Sequence, residues 1–176
     1  MNNQEKNIEL IYEKSTLDTN DIQELQELLA DKDVSLYSHQ RFYMTNASID
    51  FFVPIILFVT SEAFLVGLAS NAAWDVFKTI TRFAYNKFHN QKVRKVYSDK
   101  TVEETPNIHF DIGNNRFVLP VDIDQEKYEY AVDKFYEYAS SHTPNKTTYV
   151  WYNKNDGYIT TKTEEQIIND EIKKHQ

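Results

Sequence analysis

Cysteine is absent from this 176-residue chain. Without a thiol there is no disulfide, no cysteine nucleophile and no zinc site built on sulfur. Glycine is nearly as scarce, with 3 residues where an average usage of about 7% would give roughly a dozen. No glycine-rich phosphate loop can be written from Gly67, Gly113 and Gly157. These absences exclude the common nucleotide-binding enzymes, and we expect no cofactor.

We also expect no secretory signal, because the N-terminal residues are polar and then alternate, without a basic start or an apolar core. The expected location is therefore the cytoplasm. Aromatic residues are plentiful, with 12 tyrosines and 11 phenylalanines, and each buried ring removes a large apolar area from water. At this length we expect one domain, residues 1–176, with an internal loop at 94–107.

In the N-terminal third, the spacing of apolar residues is typical first of a strand, then of a helix, and then of a second strand. Residues 7–14 and 34–43 alternate between polar and apolar as strands do. Residues 18–30 have helical spacing, with Asp18 or Thr19 as the cap. This order predicts a β-α-β unit at the start of the chain.

The C-terminal part predicts two hairpins, because turns rich in Asn, Asp and Gly divide the apolar runs at 107–120 and 147–162. An amphipathic helix over 124–141 separates them, and a capping box from Thr163 to Gln166 opens a short last helix. The predicted fold is α+β, with a mostly antiparallel sheet packed on a long, very apolar central helix.

That central helix is the interpretation we favour for the apolar segment from Phe51 to Ala73, whose only charge is Glu62. Pro54 fits the first turn of a helix that continues to about His89. The alternative is a membrane span, because about 20 apolar residues cross the hydrocarbon core and basic residues follow the segment. A charge at the centre of a span is costly, which favours the core helix.

Small residues recur within this segment. Ala63, Gly67 and Asn71 lie four residues apart, which predicts a groove where another strand or helix packs closely. In a membrane span, Glu62 and Asn71 would be the candidates for helix pairing, because polar groups in lipid seldom lack a partner. We therefore predict a role in helix packing for these four residues.

A basic island follows the apolar segment. Between residues 73 and 100, 7 basic groups outnumber 2 acidic ones, although the whole chain carries a net charge of −8. Basic groups interleaved with aromatic residues suit single-stranded nucleic acid, but the overall negative charge repels phosphate, so we do not expect a nucleic-acid partner. We call six of these residues the basic island: Lys78, Arg82, Lys87, Lys92, Arg94 and Lys95.

An acidic row lies on the predicted helix at 124–141. Glu129, Asp133 and Glu137 are four residues apart and so share one helix face. They are either a solvated face or a docking surface for a basic protein, since complementary charges speed association. The acidic row is our candidate site for partner binding.

A metal or acid–base site has only one candidate pair. His109 and Asp111 share one face of a predicted strand, which is half of a metal site, but no third ligand is spaced to complete it. A structural role is the simpler interpretation, and we predict neither a metal nor a catalytic residue.

We expect a non-enzymatic protein-interaction module. A small acidic α+β domain without cofactor motifs is typical of immunity-like or accessory components of bacterial or phage defence systems. Two alternatives stay open: a single-pass membrane protein with a cytoplasmic C-terminal domain, and a small-molecule sensor with an aromatic-lined pocket. The expected partner is another protein.

Overall fold

The computed structural model describes residues 7–13, 16–32, 34–41, 56–60, 71–96 and 101–174. These residues form nine strands and four helices, which confirms the α+β class. In chain order they are β1 (Asn7–Glu13), α1 (Thr19–Leu29), β2 (Ser35–Arg41), β3 (Ile56–Thr60), α2 (Asn71–Phe88), β4 (Val93–Val96), β5 (Thr101–Glu104), β6 (Ile108–Ile112), β7 (Asn115–Val118), α3 (Gln125–Ser141), β8 (Thr148–Tyr152), β9 (Ile159–Thr163) and α4 (Glu164–Lys174).

Seven strands form one mixed sheet in the order β2-β1-β3-β6-β7-β8-β9. The pairs β1–β2, β3–β6 and β7–β8 are parallel, and antiparallel pairs connect them. Parallel neighbours need a crossover, and α1, α2 and α3 lie in the three connections. The predicted mostly antiparallel sheet is therefore wrong. The two predicted hairpins do form, but they join each other through the parallel pair β7–β8.

The predicted long apolar central helix is also wrong. Residues 56–60, inside the apolar segment, form β3, which lies between β1 and β6 near the middle of the sheet. A central strand is covered on both faces, so its sequence is a continuous apolar run and lacks the alternation that marks a half-buried strand. The β-branched and aromatic residues of Ile-Leu-Phe-Val-Thr suit such a strand. None of the described helices is long and apolar enough to cross a membrane.

The main core lies between one face of the sheet and helices α1, α2 and α3. Phe58, Phe110 and Phe117 are register neighbours on β3, β6 and β7, so their side chains point to the same face. Phe77 of α2 packs edge-on against Phe110, with ring centroids 4.8 Å apart. Phe135 of α3 lies 5.0 Å from Phe117. These rings hold α2 and α3 side by side on the sheet.

The predicted turns and caps are confirmed. Gly113 and Gly157 have φ of 58° and 75° in the two hairpin turns, where a left-handed backbone is needed. Asp18 caps α1, accepting a hydrogen bond from the Asp21 amide at 2.9 Å. The amide of Thr163 donates to the side chain of Gln166 at 2.9 Å, as a capping box requires.

Within the loop predicted at 94–107, the described residues 94–96 and 101–104 belong to strands. Strands β4 and β5 pair here as a two-stranded antiparallel sheet, separate from the main one. Arg94 lies opposite Glu103 in this pairing, and opposite charges at facing positions favour it. The sequence did not predict these strands because they are short and charged, so few apolar residues alternate with the polar ones.

Candidate functional site

Helix α3 presents the acidic row to solvent. Its buried stripe of Tyr128, Ala131, Val132 and Phe135 faces the sheet and α2, and the acidic row lies outside this stripe. The side chains of Glu129, Asp133 and Glu137 are 52%, 56% and 63% exposed. The acidic row therefore lies on the surface, as expected from its spacing.

The acidic row faces part of the basic island. Lys78 of α2 lies 3.6 Å from Asp133, and Arg82 lies 3.6 Å from Glu129. Position numbers rise along α2 while those of the partners fall along α3, so the two helices run antiparallel. Exposed pairs of this kind contribute about 0–1 kcal/mol each. The two rows of charge therefore partly neutralise each other without locking the side chains in place.

Two other members of the basic island, Lys87 and Lys92, have separate partners. Lys87 forms an ion pair with Asp21 of α1. Burial alone would raise the pKa of Asp21, but hydrogen bonds from Lys87 and from the amide of Asp18 outweigh it and lower this pKa. Lys92 donates to the hydroxyl of Thr105 at 3.1 Å. Arg94 and Lys95 lie on β4. The basic island thus extends from α2, through Lys92 in the following turn, to β4.

A cleft of about 90 Å³ lies between α2 and α3. Lys78, Arg82, Glu129 and Asp133 are among the residues that line it, and the rings of Tyr85 and Tyr128 lie below them, with centroids 4.4 Å apart. We call it the α2–α3 cleft. Its other lining residues are Thr81, Asn86, Gln125 and Val132.

Both tyrosine hydroxyls of the α2–α3 cleft donate to backbone carbonyls. Tyr85 donates to the carbonyl of Ile123 at 3.0 Å, and Tyr128 to that of Thr81 at 2.6 Å. Burial raises the pKa of both phenols, and the carboxylate of Asp124 adds to the effect at Tyr85. The tyrosines therefore stay neutral, and their buried rings line the inner end of the cleft.

No protein-family model, curated protein or solved structure matches this chain.

The candidate pair His109 and Asp111 lies on the sheet face opposite to the main core. Arg116 holds the Asp111 carboxylate through two hydrogen bonds of 2.7 and 2.5 Å, and it donates to the Tyr149 hydroxyl at 3.3 Å. These two bonds bind both carboxylate oxygens. Among the described residues, no group of three side chains could hold a metal ion. The structure therefore gives Asp111 the role of an ion-pair partner to Arg116.

His109 is fully buried beside this ion pair. Its ring lies edge-on to Tyr149, with centroids 6.0 Å apart. Burial, with the positive charge of Arg116 as the second cause, lowers the pKa of His109 from 6.5 to about 3. The imidazole is therefore neutral at physiological pH.

The residues predicted to act in helix packing lie mostly outside the part of the chain that is described. This applies to Glu62, Ala63 and Gly67. Asn71 is the first residue of α2. The proposed small-residue groove thus stays a prediction.

Sequence reasoning missed the α2–α3 cleft, although its residues have a clear pattern. On α2 they are positions 78, 81, 82, 85 and 86, and on α3 positions 125, 128, 129, 132 and 133. Both sets follow the i, i+3, i+4, i+7 spacing of one helix face. The periodicity identifies two faces, but only the parallel crossovers of the sheet bring them together.

Proposed function

We propose that the chain is a non-enzymatic protein-interaction module that binds a basic protein on the outer face of α3. The observation that supports this best is an exposed tyrosine beside the acidic row. Tyr130 is 48% exposed and follows Glu129 on the helix. Tyrosine is enriched among the residues that dominate binding energy, and surrounding charges favour a complementary partner. Such a module suits the immunity-like or accessory defence class.

The contacts of Tyr130 suit an anchor residue. Its ring lies 6.1 Å from that of Tyr152 on β8, and the ammonium of Lys134 lies 5.4 Å from its centroid. Lys134 also donates to Glu137 at 2.7 Å. The ring is thus held on a rigid helix, so little side-chain entropy is lost on binding.

Intramolecular pairing of the acidic row does not oppose docking strongly. Lys78 and Arg82 are 3.6 Å from their carboxylates, beyond the usual hydrogen-bond distance, and remain solvated. Exchanging such a pair for a cation of the partner costs about 1 kcal/mol or less. The attraction expected between the acidic row and a basic partner acts over a longer distance than these contacts, and it affects mainly the association rate.

The test begins with a pull-down from the native cell that identifies the bound protein, followed by measurement of its association rate. Neutralising the acidic row (Glu129→Gln, Asp133→Asn, Glu137→Gln) should lower the association rate constant about tenfold or more at low salt, with a smaller difference at high salt. Tyr130→Ala should instead raise the dissociation rate, by about tenfold or more.

A matched control removes three exposed carboxylates from α1 and the turn that follows it: Glu24→Gln, Glu27→Gln and Asp31→Asn. It changes the net charge equally but leaves α3 intact, so its association rate should stay close to that of the parent chain. Equal losses in both triple variants would mean that net charge alone acts. No loss with the α3 variant would remove the docking surface.

A further inference from the structure

The α2–α3 cleft has an apolar floor. The hydroxyl donors of Tyr85 and Tyr128 are already bound to the carbonyls of Ile123 and Thr81, and the Thr81 hydroxyl donates to the carbonyl of Phe77 at 3.0 Å. Val132 adds a further apolar side chain. The floor therefore offers mainly apolar atoms to any molecule in the cleft, and polar recognition depends on the rim.

The rim carries charges of both signs in an ordered arrangement. Lys78 and Arg82 are four residues apart on α2, and Glu129 and Asp133 are four residues apart on α3, so the Cβ atoms of each like-charged pair lie about 5–6 Å apart. Across the cleft, the opposite charges of each pair are 3.6 Å apart, beyond the usual hydrogen-bond distance. Two cations thus face two carboxylates without direct hydrogen bonds between them.

We propose that the α2–α3 cleft binds a small zwitterion, a free α-amino acid with a side chain no larger than that of valine. The carboxylate of the ligand would lie against Lys78 and Arg82, and its ammonium against Glu129 and Asp133. Charge-assisted hydrogen bonds of this kind are shorter and stronger than the exposed pairs that they replace. The side chain would contact Tyr85, Tyr128 and Val132 where they line the cleft.

Size and charge both select this ligand class. A volume of about 90 Å³ is well below the roughly 300 Å³ of the smallest typical drug-sized or cofactor pockets, so the cleft suits a molecule much smaller than a drug or a cofactor. A simple anion would give the two carboxylates of the rim no counter-charge. A simple amine would give the two cations of the rim no counter-charge. A zwitterion matches both sides.

The test is an NMR titration of the full chain with L-valine, isovalerate and isobutylamine, which share an apolar body but differ in charge. L-valine should shift the ring signals of Tyr85 and Tyr128, with a dissociation constant below about 1 mM. The two singly charged analogues should bind at least about tenfold more weakly, because each lacks one set of charge-assisted hydrogen bonds.

Two variants locate the binding site. Lys78→Met with Arg82→Gln, and Glu129→Gln with Asp133→Asn, should each weaken L-valine binding by about tenfold or more. The matched control, Lys154→Met with Asp122→Asn, removes an ion pair of 2.9 Å that does not line the cleft, and it should bind as the parent chain does. All these positions are at or near the surface, and amide spectra check that each variant is folded.

Three outcomes would overturn the proposal. They are no ring shifts with L-valine up to its solubility limit, equal binding of all three probes, or undiminished binding by both cleft variants. The two proposed sites share Glu129 and Asp133, whereas Tyr130 and Glu137 belong to the docking surface and do not line the cleft. Loss of L-valine binding in the Lys78 and Arg82 variant, with the partner still bound, would separate the two activities.

Discussion

Replacing Arg116 with methionine should lower the free energy of unfolding by about 3 kcal/mol, because it leaves the Asp111 carboxylate without its cation. The side chains of Arg116 and Asp111 are only 21% and 14% exposed. Arg116 binds both carboxylate oxygens, and this hydrogen bonding to Asp111 is the main cause that raises the pKa of its guanidinium further. Methionine keeps an unbranched stem against the neighbouring strands, so the change removes mainly the charge and its hydrogen bonds.

A double variant separates two effects on stability: the loss of the ion pair itself, and the cost of leaving the Asp111 carboxylate buried without a cation. With Arg116→Met and Asp111→Leu together, no carboxylate remains in this buried position, and the stability should recover most of the loss. Urea unfolding of the parent, both single variants and the double variant completes the cycle. A double variant less stable than Arg116→Met alone would contradict this account of the ion pair.

Acidification from pH 7 to pH 5 should destabilise the chain by about 2 kcal/mol through His109 alone. Its pKa is lowered to about 3 in the folded state by burial and by the charge of Arg116, whereas the unfolded chain titrates near 6.5. Between these two values the unfolded state binds more protons, so falling pH favours unfolding. The stabilisation is complete above pH 6.5 and is lost as the pH falls towards 3.

The matched measurement uses His109→Leu. Its stability at pH 7 will differ from that of the parent for packing reasons, so the quantity to compare is the change in unfolding free energy between pH 7 and pH 5. All other titrating groups are common to both proteins, and the change should be about 2 kcal/mol smaller in the variant. An equal pH dependence in both proteins would show that His109 does not stay neutral in the fold.

The local elements were predictable where sequence period and turn chemistry agree. The stripe of Tyr128, Val132 and Phe135 identified α3, and Asp156-Gly157 identified the turn between β8 and β9. Both signals act within a few residues and need no knowledge of the rest of the chain. The same reasoning failed for β3, because a strand buried on both faces and a buried helix have the same continuous apolar sequence.

The helix face on which each surface charge lies was predictable from the sequence, but the pairing of these charges was not. The spacing of Glu129 and Asp133 placed them on one helix face, and the basic island was evident as a run of lysine and arginine. Their pairing depends on α2 and α3 lying side by side and antiparallel, which follows from the crossovers between parallel strands. The interval of about 50 residues between the partners carries no local signal, so the α2–α3 cleft was missed.

The position of β3 decides this fold, because α2 reaches its place beside α3 through the crossover from β3 to β6. Glu9 of β1 and Val59 of β3 are antiparallel register partners, so their Cα atoms should lie about 4.5–5.5 Å apart, within disulfide range. Glu13 is four residues from Glu9 along β1, about 13 Å away. Since the chain has no cysteine, two introduced thiols can react only with each other within one molecule.

The measurement is oxidation of two double-cysteine variants, Glu9→Cys with Val59→Cys and Glu13→Cys with Val59→Cys, followed by mass spectrometry. The first should form an intramolecular disulfide in high yield and the second should not. Failure of the first pair to join, or equal yields from both, would contradict the placement of residues 56–60 as a strand next to β1.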